Sequence, residues 1–133
     1  MMNCKFHTAV DIPKFDNKDG YKNRWMFVGS CFTENIGEKM ARLKYPVTIN
    51  PFGILYNPVS ASTSLKFIIQ RKKFFKNDLI FHNGLWHSFY HHSKFSSPDA
   101  QKTVYQINSE IESSYGFLSK ADYLFLTFGT ALV

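Results

Sequence analysis

The chain has 133 residues, a net charge of +6 and 44% hydrophobic residues. One domain of this length buries roughly two thirds of its unfolded surface, and a 17% share of aromatic residues supplies ample core material, which argues against disorder. Its 16 Lys and Arg residues are scattered apart from Arg71, Lys72, Lys73 and nearby Lys76, a run typical of a solvated helix end, so we expect no nucleic-acid partner.

The two cysteines and the amino-terminal segment indicate a reducing compartment. Cys4 lies in a segment typical of loops and Cys31 follows a predicted strand, so we expect no structural disulfide. The first residues, MMNCKFHTAV, lack the long apolar stretch of a secretory signal, and no run approaches the ~20 apolar residues of a membrane span. We therefore expect a cytoplasmic protein without a membrane partner.

The first predicted strand and helix lie in residues 24–44, RWMFVGSCFTENIGEKMARLK. Residues 1–22 precede them and are typical mostly of loops, with an extended piece near residues 6–12. Residues 25–28 are an apolar strand, and a sharp turn at Gly29, Ser30 and Cys31 leads into a helix. The helical spacing predicts that Ile36, Met40 and Leu43 lie on its buried face.

A second strand and helix follow. Residues 47–50 are short and β-branched, and they lead into a loop bracketed by Pro51 and Pro58 with Gly53 near its middle. A helix is predicted over residues 58–70, because proline is favoured at the start of a helix. Its expected buried residues are Leu65, Ile68 and Ile69, and its expected cap is Ser60 or Ser62.

A hairpin, a long helix and a last strand complete the chain. Asn83 and Gly84 separate two apolar runs in residues 78–89, which predicts a β-hairpin inserted beside the main sheet, with His82, His87 and His91 exposed. After a loop, Ser97 is the expected cap of a helix that begins at residues 98–99. Residues 123–127 form an apolar strand. The expected buried face of the helix is Val104, Ile107, Ile111, Tyr115 and Leu118.

This order of elements predicts an α/β fold with a parallel sheet, since parallel strands need crossover connections. Three parallel strands would leave an open sheet edge, which complete domains normally pair or cover. We therefore expect residues 1–133 to be the amino-terminal portion of a single larger domain, truncated after the third strand.

Three strand ends carry the residues suited to chemistry. They are Gly29 to Cys31, the loop from Gly53 to Asn57, and Gly129 with Thr130. The carboxyl ends of parallel strands meet at one edge of a sheet, where ligands usually bind. A nucleophile at a helix N-terminus beside glycine-containing loops is typical of acyl transfer through an oxyanion hole.

Four segments in the same order resemble the GSCFA family: VGSCFTENIG, NPFGILYNPVS, WHSFYHHSKFS and LTFGTALV. Thr33 stands where the family name has alanine. The resemblance implies a bacterial protein similar to SGNH/GDSL-type hydrolases, a flavodoxin-like three-layer fold of esterases and acyl transferases. It also implies a family domain longer than this chain.

The resemblance implies site residues position by position. In the hydrolases a Gly-Asp-Ser motif ends the first strand and its serine is the nucleophile, which places Ser30 at the aspartate position and Cys31 at the nucleophile position. A thiolate at a helix N-terminus is stabilised by the helix dipole. Ser30 is the alternative nucleophile if the turn is shifted by one residue. Cys31 as a small buried apolar residue is the remaining alternative.

The other implied site residues contact substrate. Gly53 corresponds to the hydrolase glycine whose N–H holds the oxyanion, with a tight turn as the alternative reading of this glycine. The third hydrolase block is Gly-x-Asn, but here it reads Gly129, Thr130 and Ala131, so Thr130 or Asn57 would have to replace the missing amide. His92 is expected to line the crevice or to cap a loop. The general-base histidine is expected beyond Val133.

Taken together, the sequence predicts an acyl esterase or acyltransferase that acts on a small-molecule or glycan ester. No cofactor is expected, and the histidines lack the partners of a zinc site. Without the general base, we expect little or no turnover from these 133 residues. The alternative function is a module that binds a small molecule or carbohydrate without covalent chemistry.

Overall fold

The computed structural model describes residues 11, 13 and 20–129 and shows an α/β fold, as predicted. The predictions on Cys4, on the extended piece near residues 6–12, and on Thr130 and Ala131 lie outside the described residues, except for residue 11. The helices and strands, in chain order, are β1 (Trp25–Gly29), α1 (Cys31–Arg42), β2 (Val47–Ile49), α2 (Pro58–Ile69), β3 (Ile80–His82), β4 (Leu85–His87), α3 (Ala100–Leu118) and β5 (Tyr123–Thr127).

Within the described residues the main sheet has three parallel strands in the order β2-β1-β5. Phe27 of β1 pairs with Ile49 on one side and with Phe125 on the other. All five residues of β1 are buried. A strand that is covered on both faces has no solvent-facing positions for polar side chains, so its sequence is a continuous apolar run. The most apolar strand is therefore the central one.

Helices cover both faces of the sheet. Successive residues of a strand point to opposite faces. Met26 and Val28 share the main core with residues of α2 and α3 such as Ile68 and Ile107. The residues of the other face of β1 border α1 across an apolar cavity. This gives three layers, and the finer likeness to flavodoxin-like hydrolases stays a prediction.

The buried faces of all three helices differ from the periodicity-based expectation, and in α3 the difference is Tyr115, which is 37% exposed. Leu43 is 59% exposed just beyond the end of α1, and Ile69 is 61% exposed at the end of α2. In place of Leu43, α1 buries Thr33 and Gly37. A Cβ added at Gly37 would lie 2.7 Å from Cγ1 of Ile49. Glycine thus allows α1 to approach β2 closely, which a count of large apolar residues does not reveal.

The helix caps also differ from the expectation. Asn57 caps α2, because its Oδ1 accepts a hydrogen bond of 2.8 Å from the Ser60 N–H. Asp99, and not Ser97, caps α3, and its Oδ1 accepts from the Gln101 N–H at 2.8 Å. In each helix a side chain directly before the first helical residue satisfies a backbone donor that has no partner within the helix.

The two short strands β3 and β4 pair as an antiparallel hairpin. Asn83 has φ +47° and Gly84 has φ +78°, the left-handed pair that a type I′ turn requires. Trp86 on β4 also forms an antiparallel bridge with Ser97, which joins the hairpin to the segment before α3. That the hairpin is an insertion into a larger fold stays a prediction.

Strand β5 forms one border of the main sheet as far as the structure describes the chain. Three of its apolar side chains are half-exposed: Leu124 at 43%, Phe125 at 44% and Leu126 at 43%. Phe125 still stacks on the ring of Phe27, with ring centroids 5.2 Å apart. The border strand is therefore covered less completely than β1.

Candidate functional site

The Gly-Ser-Cys turn (Gly29, Ser30 and Cys31) connects β1 to α1 at the carboxyl edge of the sheet. Gly29 has φ +147°, and a Cβ added there would lie 2.0 Å from the backbone oxygen of Thr127. A side chain at this position would collide with the end of β5, so only glycine fits the turn. The close approach brings the end of β5 directly against the turn.

Ser30 and Cys31, the two predicted nucleophiles, have different environments. Ser30 is buried at 8% exposure, and its Oγ lies 3.0 Å from Oγ1 of Thr127. Cys31 is exposed and is the first residue of α1. The N–H groups of Cys31 and Phe32 belong to the first turn of the helix, where no acceptor within the helix reaches them. Cys31 is therefore an exposed residue at the N-terminus of α1 and not a buried core residue.

The loop that contains Gly53 is hydrogen-bonded to the Gly-Ser-Cys turn. The Leu55 N–H donates to the Gly29 carbonyl at 2.8 Å. The Gly53 N–H donates to the Asn50 carbonyl at 2.8 Å, which makes a tight turn and occupies the donor that the sequence assigned to an oxyanion. Gly53 has φ +91°. Its oxyanion role stays a prediction that requires this bond to open.

His92 lies against Gly53. A Cβ added at Gly53 would be 2.2 Å from Cβ of His92, and the His92 N–H donates to the Phe52 carbonyl at 2.8 Å. The His92 ring is exposed, and its Nδ1 accepts a hydrogen bond of 3.1 Å from the Lys94 N–H. His92 thus caps a short loop, as one of the two sequence interpretations holds, and also borders the Gly53 loop.

The third predicted loop joins the same edge. The Gly129 N–H donates to the Tyr56 carbonyl at 2.8 Å. Asn57, next to Tyr56, uses its side chain to cap α2 and also donates from Nδ2 to Oγ of Ser60 at 3.0 Å. The structure therefore brings Gly29, Gly53 and Gly129 together through hydrogen bonds between their loops, and it gives Asn57 a helix-capping role.

Two residues that the sequence does not mark as site residues accept hydrogen bonds from the backbone of the turn. Oδ1 of Asn50 accepts from the Gly29 N–H at 2.8 Å, and Oγ1 of Thr127 accepts from the Ser30 N–H at 3.1 Å. Oγ1 of Thr33 also contacts Oγ1 of Thr127. Asn50 directly follows β2 and Thr127 ends β5. The signal was in the sequence, since both are polar residues at the carboxyl ends of parallel strands.

An apolar cavity of about 260 Å³ lies between α1 and the sheet beside the turn. Phe32 and Thr127 line its end next to the turn, and Trp25 and Met40 line its other end. The cavity therefore extends from the neighbour of Cys31 along the face of the sheet.

The comparison with known families assigns the chain. The model of the GSCFA family matches residues 24–133. The chain belongs to the GSCFA family. No curated protein and no solved structure matches it. The match confirms the family that the four sequence segments predicted, and the similarity to SGNH hydrolases stays a prediction.

His91 of the GSCFA chain is buried at 8% exposure, so its predicted exposure is wrong. Its ring centroid lies 4.1 Å from that of Phe52 and 5.1 Å from that of Phe74. Burial, followed by the positive charge of Lys72, lowers the pKa of His91 from 6.5 to about 4. The polar stretch that follows the predicted hairpin indicated that His91 is exposed. In the structure, Phe52 and Phe74 enclose its ring.

The basic run of the GSCFA chain makes contacts within the fold. Nη2 of Arg71 and Nζ of Lys73 each lie 2.6 Å from a carboxylate oxygen of Glu112, and these bonds lower the pKa of Glu112. Nζ of Lys72 lies 4.3 Å from the ring centroid of Phe67. These contacts partly neutralise the run, and the expected lack of a nucleic-acid partner stays a prediction.

Residues 11, 13 and 20–129 of the GSCFA chain contain neither a cluster of metal ligands nor a membrane-spanning helix. No group of three His, Cys, Asp or Glu side chains in this part lies close enough to share a metal ion. No helix in the same residues has the length and apolar character needed to cross a bilayer.

Proposed function

We propose that the Gly-Ser-Cys turn is the reactive centre of an acyl esterase or acyltransferase, with Cys31 as the nucleophile. The observation that carries the proposal is the contrast between an exposed Cys31 and a buried Ser30 whose hydroxyl is hydrogen-bonded to Thr127. A nucleophile has to reach the carbonyl carbon of its substrate, and the sulfur is the accessible atom of the two. The predicted resemblance to SGNH hydrolases, if it holds, gives the same register.

The proposed first step is acylation of Cys31. The thiolate sulfur attacks the ester carbonyl carbon and the bond to the leaving oxygen breaks. The products are a thioester and an alkoxide, which takes a proton from water to become the alcohol. The N–H groups of Cys31 and Phe32 are the donors nearest to the developing oxyanion, because the first turn of a helix leaves them unpaired. Gly53 joins them only after its bond to the Asn50 carbonyl opens.

The neighbouring surfaces suit the two parts of an ester. The apolar cavity beside Phe32 fits an acyl group better than a charged ligand. His92 and the Gly53 loop offer an exposed imidazole and polar backbone at the same edge. A small-molecule ester, with glycan esters among the candidates, is therefore the proposed substrate class.

The proposal is tested with p-nitrophenyl acetate on a chain in which Cys4→Ser leaves a single thiol. We expect one equivalent of p-nitrophenolate per chain and an acetyl group on the peptide that contains Cys31. Cys31→Ser should abolish this burst, whereas Ser30→Ala should retain it. After this first equivalent, the release of p-nitrophenolate should slow, because no histidine in the sequence is assigned as the base for hydrolysis of the thioester.

Any free thiol reacts slowly with this ester, so the rate is compared with two references. These are glutathione at the same pH and the same chain unfolded in urea. A catalytic site should acylate at least about tenfold faster than both. A rate equal to that of glutathione, or a burst that persists in Cys31→Ser, contradicts the proposal and favours the binding-module alternative.

A further inference from the structure

We propose that Asn50 and Thr127 are positioning residues that hold the Gly-Ser-Cys turn in the geometry that presents Cys31. They are called the two anchoring side chains below. The inference rests on the proposed function, because presentation of the sulfur matters only if Cys31 reacts. Neither side chain would touch substrate; each acts through the backbone of the turn.

Asn50 is fixed before it acts on the turn. It is 1% exposed, and its backbone N–H donates to the Phe27 carbonyl at 2.8 Å while its carbonyl accepts from the Gly53 N–H at 2.8 Å. Its φ is +42°, a left-handed conformation that asparagine tolerates better than most residues. Oδ1 of this rigid residue then accepts from the Gly29 N–H at 2.8 Å.

The acceptor of Asn50, and not its donor, is the group that the turn uses. Its Nδ2 is buried and has no hydrogen-bond partner among the described residues. Burial of an unpaired amide donor is costly, so space filling alone does not explain an asparagine here. The bond from Gly29 to Oδ1 does explain it. An aspartate would keep this acceptor but would bury an unpaired carboxylate, so Asn50→Gly, which suits the left-handed backbone, is the variant that tests the bond.

Thr127 holds the next residue of the turn. Its Oγ1 accepts from the Ser30 N–H at 3.1 Å, lies 3.0 Å from Oγ of Ser30, and contacts Oγ1 of Thr33. Ser30 is the N-cap of α1, but its hydroxyl makes no capping bond and is directed to Thr127. The hydroxyl therefore gives up its usual capping role to join the turn to the end of β5.

The two anchoring side chains accept hydrogen bonds from the two backbone N–H groups immediately before Cys31. Gly29 donates to Asn50 and Ser30 donates to Thr127, so the peptide units leading to the sulfur are held from both outer strands. Loss of either acceptor frees one of these units. A displacement of about 1 Å at a reacting atom can cost about 10²-fold in rate, so we expect acylation to slow about 10- to 100-fold.

The experiment compares three variants in the full chain, with p-nitrophenyl acetate as the probe. Thr127→Val removes the hydroxyl but keeps the branched shape, and Thr127→Ser keeps the hydroxyl. Asn50→Gly removes the acceptor without straining the backbone. We expect Thr127→Val and Asn50→Gly to lower the maximal acylation rate with little change in the half-saturating ester concentration, and Thr127→Ser to restore most of it.

Amide hydrogen exchange by NMR separates this inference from the proposed function. In Thr127→Val the Ser30 amide should lose at least about tenfold protection while that of Gly29 stays protected, and Asn50→Gly should show the reverse. If the wild-type chain is not acylated, the proposed function fails while this exchange pattern still tests the anchoring. Unchanged acylation in Thr127→Val and Asn50→Gly overturns the inference, as does a failure of Thr127→Ser to restore the rate.

Discussion

His91 makes the stability of the fold depend on pH, and the size of the effect follows from its burial. The ring lies among Phe52, Phe74 and Phe95, and its Nδ1 shares a hydrogen bond of 2.8 Å with Oγ of Ser88. Burial and the nearby charge of Lys72 lower the pKa from 6.5 to about 4. The unfolded chain therefore takes up a proton at a higher pH than the folded chain does.

The sign follows from that order. The contribution is fully present above the unfolded pKa of 6.5 and is lost as the pH falls toward the folded pKa of about 4. A difference of about 2.5 pKa units corresponds to about 3 kcal/mol in full, of which about 2 kcal/mol is already lost at about pH 5. This is a large part of the stability of a small domain.

The assay is urea unfolding followed by tryptophan fluorescence from about pH 7.5 to about pH 4.5. Other groups also titrate in this range, so the measured quantity is the free energy of unfolding of wild type minus that of His91→Phe at each pH. Phenylalanine fits the aromatic surroundings and cannot be protonated. The difference should fall by about 2 kcal/mol between about pH 7.5 and about pH 5.

His82→Gln is the matched control, because His82 is exposed on the hairpin. The free energy of unfolding of wild type minus that of His82→Gln should change little with pH. A constant difference between wild type and His91→Phe would refute the reasoning, since it would mean that the folded and unfolded chains protonate His91 alike. His91→Phe also loses the hydrogen bond to Ser88, which shifts the difference in the free energy of unfolding by a constant amount and does not produce the expected fall with pH.

Three further predictions concern stability and are measured by urea unfolding at neutral pH. Gly37→Ala should destabilise the fold despite the better helix propensity of alanine, because the new Cβ would lie 2.7 Å from Cγ1 of Ile49. Adding Ile49→Val to the same chain should not restore full stability, because valine keeps the γ carbons that the new Cβ would meet. A stabilised Gly37→Ala would show that α1 is free to move. Asp99→Ala should cost about 1 kcal/mol through loss of the cap of α3, and no loss would mean that another group replaces it. Gly29→Ala should prevent stable folding or disrupt the end of β5, since its Cβ would lie 2.0 Å from the Thr127 oxygen; a wild-type midpoint would show that this approach is not required.

The elements of the fold were predictable because each carries a strong local pattern. The apolar run of β1, the Asn83 and Gly84 pair, and the long periodic helix all indicate their structure without knowledge of the rest of the chain. The structure bears these out in β1, the hairpin turn and α3.

The errors arise where a contact between distant residues decides the outcome. Leu43 had the right spacing for burial but falls just beyond the last residue of α1. Gly37 is buried against Ile49, which leaves no room there for a side chain. His91 is enclosed by Phe52 and Phe74 from other segments. Such contacts depend on how elements pack, which local periodicity does not contain.

The candidate site was predictable in location but not in its supporting contacts. The rule that parallel strands end at one edge correctly brought Gly29, Gly53 and Gly129 together. Asn50 and Thr127 were missed because the motif that drew attention contains nucleophile-type residues, whereas these two act on backbone N–H groups. A search for polar residues at every strand end would have found both.

The two bonds that fix the turn originate at opposite borders of the sheet. Cys31 follows the central strand, but Asn50 comes after β2 and Thr127 ends β5, and these are the outer strands of the described sheet. Outer strands fray more readily than central ones, since they are paired on one side only. Fraying at either border would therefore loosen the Gly-Ser-Cys turn, and a strand that paired with β5 would hold the turn more firmly without contacting it.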